Sequence, residues 1–160
     1  MMKKFLLVMG IIFSFQAMAQ AQSGDETQKE IKRYHALKPQ VEKLLRTSAT
    51  LYYDMPDAAY DYHQGKPDEW REMFNRLKKL DSETHKALGN DPLDPVYGSC
   101  IAMEGLLSSY WQDVISGDEK LTQSQYKEKR LDCLDSYVFG LEQIESRKNL
   151  AVIPVWDMKE

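Results

Sequence analysis

The chain has 160 residues and a formal net charge of −4, from 21 basic and 25 acidic side chains. This length suits one domain with a single core, and the acidic balance disfavours nucleic acid, whose phosphates require patches of Lys and Arg. The charge favours a basic protein partner or none, since mild acidity also serves solubility alone.

The N-terminal segment has the three-part pattern of a secretory signal peptide. Two lysines open it, residues 5–15 are almost uninterruptedly apolar, and cleavage motifs of small residues end at Ala19 and Ala21. A membrane anchor is the alternative, but the apolar run is about half of the roughly 20 residues that span a bilayer. We expect residues 1–21 to be removed and residues 22–160 to form a single helical domain, soluble in a bacterial periplasm and without membrane contact.

Helical periodicity begins near Gln28 and continues to Tyr52, with Pro39 inside it. Because proline removes one backbone hydrogen bond and clashes with the preceding turn, Pro39 predicts a kink or a short break. The second helix is predicted to begin at Pro67 and to end before Gly89, two residues suited to these positions. Its predicted buried stripe consists of Trp70, Met73, Phe74, Leu77, Leu80, Thr84 and Leu88.

Two further helices are predicted in the second half of the chain. Asp94 and Pro95 predict the N-cap and first residue of the third helix, which ends at Ser116. Thr122 and Gln125 have the spacing of a capping box for the fourth helix, which runs to about residue 146. The predicted buried faces are Tyr97, Cys100, Ile101, Glu104, Leu107, Trp111, Val114 and Ile115 on the third helix, and Tyr126, Arg130, Cys133, Leu134, Tyr137, Val138, Leu141 and Ile144 on the fourth.

The pattern predicts an all-α fold, an antiparallel four-helix bundle-like domain with an extended C-terminal tail over residues 150–156. The two cysteines, Cys100 and Cys133, predict one disulfide in an oxidising compartment, with buried thiols as the alternative. Cys100 lies roughly 24 Å along the third helix before Ser116, and Cys133 roughly 16 Å after Thr122. The loop between the helices can largely absorb this mismatch of about 8 Å, so the spacing agrees with the disulfide.

Few residue patterns point to catalysis or to a bound group. The histidines are His35, His63 and His85, and none lies in a nucleophile, phosphate-loop or zinc-ligand motif. The motifs of covalent haem and of di-iron bundles are missing, while noncovalent haem through a Met and a His stays open. We expect no catalytic residue, no metal and no cofactor; a catalytic triad assembled in three dimensions is the alternative.

Residues 52–63 concentrate four tyrosines and three aspartates between two helices. Tyrosine is favoured at recognition surfaces, and neighbouring aspartates would meet Lys or Arg on a partner. The candidate partner-binding residues are Tyr53, Asp54, Asp57, Tyr60, Asp61 and Tyr62. In the alternative interpretation, Tyr52, Tyr53 and Tyr60 cover the core while the aspartates cap a short helix after Pro56.

Residues 133–141 read Cys-Leu-Asp-Ser-Tyr-Val-Phe-Gly-Leu. Together with the small exported helical plan and the single disulfide, they resemble the periplasmic immunity proteins that neutralise toxins of the type VI secretion system, notably the amidase immunity group. Those proteins often carry a Cys followed closely by a Tyr-Val-x-Gly-like run on a helix; here one extra residue separates Cys133 from Tyr137. No contact motif matches residue by residue, so no contact residues are transferred.

The resemblance implies a non-enzymatic inhibitor that occludes a toxin or cell-wall hydrolase. A periplasmic chaperone, adaptor or stress protein is the alternative function. A compact acidic patch would favour the inhibitor, and a surplus of exposed apolar surface would favour the chaperone.

Overall fold

The computed structural model describes residues 3–118 and 120–150, with side chains over 25–118 and 120–147. Within these ranges the chain forms four helices and no strand: α1 Lys3–His63, α2 Pro67–Leu88, α3 Gly98–Ser116 and α4 Lys120–Leu150. The predicted all-α, four-helix bundle-like class is confirmed. In this part of the chain, no helix combines the length and apolar composition of a membrane crossing. Beyond residue 150, the predicted extended tail lies outside the described residues.

The backbone contacts divide the chain into two compact units. One unit is Ala36–Gly140, and the other combines Met1–His35 with Leu141–Glu160. Removal of residues 1–21 and the extent of the domain over 22–160 stay predictions.

Buried side chains and ion pairs characterise the described part of the smaller unit, where Lys29 pairs with Asp25 one turn away on α1. Tyr34 and Ile144 are almost fully buried there. Arg147 donates to Glu30 across 3.0 Å, and both side chains are partly exposed. An exposed pair of this kind contributes little to stability, so the apolar side chains matter more within this unit.

Helix α1 runs without interruption through Pro39 and Pro56. The short break that was one of the two outcomes predicted at Pro39 does not occur, and the other outcome, a kink, stays a prediction. An interior proline costs roughly 3 kcal/mol in a helix, but the adjoining turns bury their apolar side chains. Val41 and Leu44 follow Pro39, Met55 precedes Pro56, and all three are in the core. This tertiary burial offsets the lost hydrogen bonds.

Helix α2 has the predicted bounds. Pro67 stands at its start, and Gly89 ends it with a positive φ of 93° while its amide donates to the carbonyl of His85 at 3.0 Å. The buried stripe is shorter and narrower than predicted. It begins at Met73 because Trp70 is only half-buried, and it lacks Phe74, which is 48% exposed.

Helix α3 begins at Gly98 rather than at the predicted Pro95. Asp94 still caps backbone amides, but these amides belong to the turn that precedes α3. Its Oδ1 accepts hydrogen bonds from the amides of Val96 at 3.0 Å and Tyr97 at 2.7 Å. Its carbonyl accepts from the amide of Gly98 at 2.9 Å, which leads the turn into α3.

Helix α3 is central within the larger unit. Besides most of the predicted stripe, it buries Met103 and Tyr110, which lie outside that stripe. The Ser48 hydroxyl of α1 lies 3.8 Å from the Met103 sulfur, and the ring of Tyr52 stacks on Tyr110 with centroids 5.1 Å apart. Since α3 contacts neighbours on several sides, its burial extends around much of the helix.

The disulfide joins α3 to α4 as predicted. Cys100 and Cys133 are bonded, their Cα atoms lie 4.6 Å apart, and both residues are fully buried. Gly117 ends α3 in the left-handed conformation at φ 82°, where glycine carries no steric penalty. The chain thereby returns and brings the two cysteines together.

Helix α4 begins at Lys120, earlier than predicted. Thr122 therefore lies in the first turn, and its hydroxyl donates to Asp113 Oδ2 of α3 at 2.8 Å. This bond ties the two helices together beside the loop. The expected capping box with Gln125 is thus replaced by an interhelical contact.

The buried residues of α4 within the larger unit recur at seven-residue steps, at Tyr126, Cys133 and Gly140, and Ile144 follows in the smaller unit. The predicted burial of Leu134 and Val138 is wrong, because these side chains are 38% and 49% exposed. Both lie beside the buried line rather than on it. The apolar face of α4 is wider than the part that the neighbouring helices cover, so periodicity alone overestimated the buried face.

Candidate functional site

Five of the six candidate partner-binding residues share one side of the last turns of α1. Successive residues of an α-helix are rotated by about 100°, so five of the candidates fall within about one third of the helix circumference. They are Tyr53, Asp54, Asp57, Tyr60 and Asp61. Tyr53 and Tyr60 are 75% and 65% exposed, and Asp57 is exposed between them. We call these five residues the acidic-aromatic surface.

The aspartates of this surface line a groove of about 210 Å³ that Glu69, Glu72 and Arg76 of α2 complete. Asp54 pairs with Arg76 at 2.7 Å, which fastens α1 to α2. The groove therefore carries five carboxylates against one guanidinium. Its negative charge faces solvent and is available to a basic partner.

Asp61 also makes a local ion pair. Its carboxylate accepts from Lys66 Nζ at 2.8 Å, across the turn between α1 and α2. This contact raises the pKa of Lys66, chiefly through the hydrogen bond and then through the charge of Asp61. Asp54 and Asp61 thus have structural partners, whereas Asp57 has no ion pair among the described side chains.

The sixth candidate, Tyr62, lies apart from the other five. It is on the opposite side of α1 and contacts Trp70 of α2, with ring centroids 6.4 Å apart. Trp70 stacks in turn on Phe74 at 5.6 Å with nearly parallel planes. Tyr62 therefore extends a row of aromatic rings along α2 instead of joining the acidic-aromatic surface.

The alternative interpretation of residues 52–63 is correct for Tyr52 and wrong for Tyr53 and Tyr60. Tyr52 is half-buried and stacks on Tyr110 and Tyr126, at 5.1 and 4.9 Å between centroids. Since α1 continues past Pro56, no short helix begins there for the aspartates to cap.

A second, apolar groove lies between α2 and α3, with a volume of about 520 Å³. Its walls include Trp70, Phe74 and Leu77 from α2, and Trp111 and Ile115 from α3. We call it the aromatic groove. Its size falls in the range of small-molecule sites.

Beside this groove lies a polar cluster of Asp81, His85 and Glu104. His85 Nδ1 is 2.9 Å from Asp81 Oδ1, one turn away on α2. Glu104 comes from α3, is 1% exposed, and accepts a long hydrogen bond of 3.5 Å from Ser108. Asp81 and Ser108 line the aromatic groove, so the cluster borders it.

Burial raises the pKa of the Glu104 carboxyl to about 7, and the charge of Asp81 adds to the rise while His85 opposes it. A carboxyl group with such a pKa exchanges a proton near neutral pH. The arrangement is suited to sharing a proton or to holding a cation.

The sequence pattern did not single out this cluster as a site. Glu104 had been placed on the buried stripe of the third helix, and a lone carboxylate on an apolar stripe is the signal that could have marked it. Only the tertiary packing of α2 against α3 brings His85 and Asp81 to Glu104, and the sequence does not show that packing.

Comparison of the chain with protein-family models, with curated proteins and with solved structures finds no match.

Proposed function

We propose that this chain is an exported, non-enzymatic binding protein that neutralises a basic toxin or cell-wall hydrolase by covering its active site. The observation that carries the proposal is the acidic-aromatic surface, where exposed tyrosines stand beside a groove of carboxylates. The resemblance of residues 133–141 to type VI immunity proteins supports the same class, and the signal-peptide pattern supports a periplasmic encounter.

The exposed tyrosines supply the binding energy in this proposal. Tyr53 and Tyr60 are mostly exposed, so a partner would remove a large apolar area from water. Tyrosine loses little conformational entropy when it is held, because it has few rotatable bonds. Such residues often dominate the energy of an interface.

The carboxylates determine the specificity for a partner in this proposal. Asp57 of α1 and Glu72 of α2 are exposed at the groove, close to the Asp54–Arg76 pair. Their field would speed encounter with a basic surface and repel acidic proteins. A bound Lys or Arg would also compensate the unequal charge of the groove.

The test uses the product of the adjacent reading frame, or a purified cell-wall hydrolase from the same periplasm. We expect the oxidised protein to form a stoichiometric complex and to abolish peptidoglycan hydrolysis. Absence of both complex and inhibition would contradict the proposal.

Variants locate the surface. We expect Tyr53→Ala with Tyr60→Ala to weaken the complex by at least about thirtyfold, and Asp57→Lys to slow association and reduce its dependence on salt. Phe139→Ala and Asp135→Lys, at exposed positions of α4, are the matched controls. Equal affinity of all variants would place the interface elsewhere.

One observation favours the chaperone alternative. Besides Leu121 in its first turn, the described part of helix α4 exposes four large apolar side chains, which we call the α4 apolar face: Leu131, Leu134, Val138 and Phe139. Exposed apolar patches bind unfolded or partner chains. Suppression of the aggregation of a reduced, unfolded protein, lost on Leu131→Ser with Phe139→Ser, would support this function; no suppression would reject it.

A further inference from the structure

We propose that Asp81, His85 and Glu104 form a binding site for a divalent transition-metal ion, with zinc as the preferred ion. The site is independent of the acidic-aromatic surface. Two ligands come from α2 and one from α3, so the ion would link these helices.

The first argument is the convergence of donor atoms. One ligating atom from each residue lies within 4.8 Å of the others. Asp81 and His85 stand four residues apart, which places them on one face of α2, and their closest side-chain atoms are 2.9 Å apart. Ligands of a tetrahedral zinc ion are about 3.4 Å apart, so an ion bound through His85 Nδ1 would replace the contacts of this nitrogen with Asp81 Oδ1 and with the Asp81 carbonyl oxygen, which lies 3.0 Å away.

The second argument is the position of Glu104. Its side chain is 1% exposed, and a carboxylate removed from water stays ionised only where a positive charge compensates it. No Lys or Arg side chain in the described part of the chain forms an ion pair with it. Asp81 brings a second negative charge instead. A divalent cation would compensate both carboxylates at once.

The third argument is the chemistry of the donors. One imidazole nitrogen and two carboxylate oxygens are ligands that zinc accepts, whereas calcium and magnesium prefer oxygen ligands alone. Three protein ligands leave a fourth position for water. Asp81 also lines the aromatic groove, which gives the ion a route from solvent.

The proposal departs from the expectation that the chain holds no metal. Sequence spacing shows Asp81 and His85 on one helix, but it does not show that Glu104 meets them. The contact between α2 and α3 supplies that third ligand.

The test is titration of the chelator-treated full chain with Zn²⁺ at pH 7, followed by calorimetry and by thermal unfolding. We expect one equivalent of Zn²⁺ to bind, with a rise in the melting temperature that EDTA reverses. We also expect Mg²⁺ and Ca²⁺ to bind at least about a hundredfold more weakly, since they disfavour the imidazole.

Two site variants and two controls assign the ligands. His85→Asn and Glu104→Gln keep the approximate shape of each side chain, and each should weaken Zn²⁺ binding at least about a hundredfold, since even outer partners of a metal site contribute up to about that factor. His63→Asn, at the exposed end of α1, and Glu83→Gln, whose side chain pairs with Lys43 of α1 on another side of α2, should leave it unchanged. Circular dichroism checks that every variant keeps its helices.

Several outcomes would overturn the proposal. These are the absence of saturable Zn²⁺ binding, equal binding by the site variants and the controls, or Ca²⁺ binding as tight as Zn²⁺ binding. The first two outcomes would mean that the three residues hold no ion, and the third would mean that the site does not prefer zinc. None of these outcomes bears on the acidic-aromatic surface, whose test uses a protein partner.

Discussion

Reduction of the disulfide tests how much the link between α3 and α4 stabilises the protein. Cys100 and Cys133 are separated by 33 positions in sequence. Opening a loop of that length restores conformational entropy to the unfolded chain worth about 4 kcal/mol at 25 °C. We expect the native helices to stay packed around two buried thiols after reduction, so that most of the change acts on the unfolded state.

The assay is urea unfolding of the oxidised protein and of the same protein under a reductant. We expect the free energy of unfolding to fall by about 4 kcal/mol on reduction, and the melting temperature to fall by roughly 10–20 °C for a domain of this size. The m-value should rise, because the reduced chain unfolds to a more expanded ensemble.

Thiol labelling provides the control. Both cysteines are bonded, so the native oxidised protein should react with no labelling reagent until it is unfolded and reduced. A loss of stability below about 1 kcal/mol, well under the loop-entropy value, would refute the entropic reasoning. Two thiols labelled in the native protein would refute the disulfide itself.

Three further predictions concern single residues of the larger unit. The folded-state pKa of Glu104 is raised from 4.5 to about 7, so in the presence of chelator its contribution to the free energy of unfolding should fall by up to about 3 kcal/mol as the pH rises from 4.5 to 7. Glu104→Gln should remove this pH dependence in urea unfolding, and an unchanged dependence would contradict the prediction. Gly98→Ala should destabilise by about 1–3 kcal/mol, because a Cβ at this position would clash with the Pro92 carbonyl oxygen. The control Gly105→Ala meets open space and should stabilise by about 0.5–1 kcal/mol, and equal melting temperatures would refute the comparison. Asp94→Ala should cost about 1 kcal/mol in thermal unfolding through the lost turn cap, and no loss would show that the turn holds without it.

The sequence was most informative where local chemistry decides the structure. Helix α2 has its predicted ends because Pro67 and Gly89 favour a helix start and a helix end for reasons that lie within a few residues. The disulfide was predicted from compartment, spacing and face, and Cys100 and Cys133 are bonded. These predictions needed no knowledge of which helices pack together.

The sequence was least informative where tertiary packing decides. Tyr52 and Tyr53 are adjacent and identical in type, yet one stacks inside and the other is exposed. Pro39 predicted a kink or a short break, yet α1 is continuous there because the apolar side chains of the next turn are buried. Glu104 joined Asp81 and His85 only through the contact of α2 with α3. In each case the deciding partner is distant in sequence.

The tyrosine stack also gives the protein two separate optical reporters. Tyr52, Tyr110 and Tyr126 come from α1, α3 and α4, and their stacked rings should produce a near-ultraviolet circular dichroism signal that vanishes when these helices part. Trp70 and Trp111 line the aromatic groove between α2 and α3, so in a Trp156→Phe background, which removes the third tryptophan of the chain, tryptophan fluorescence follows the departure of α2. Coincident unfolding curves from the two signals would indicate that all four helices of this unit separate in one cooperative step; an earlier fluorescence change would identify α2 as the first element to leave.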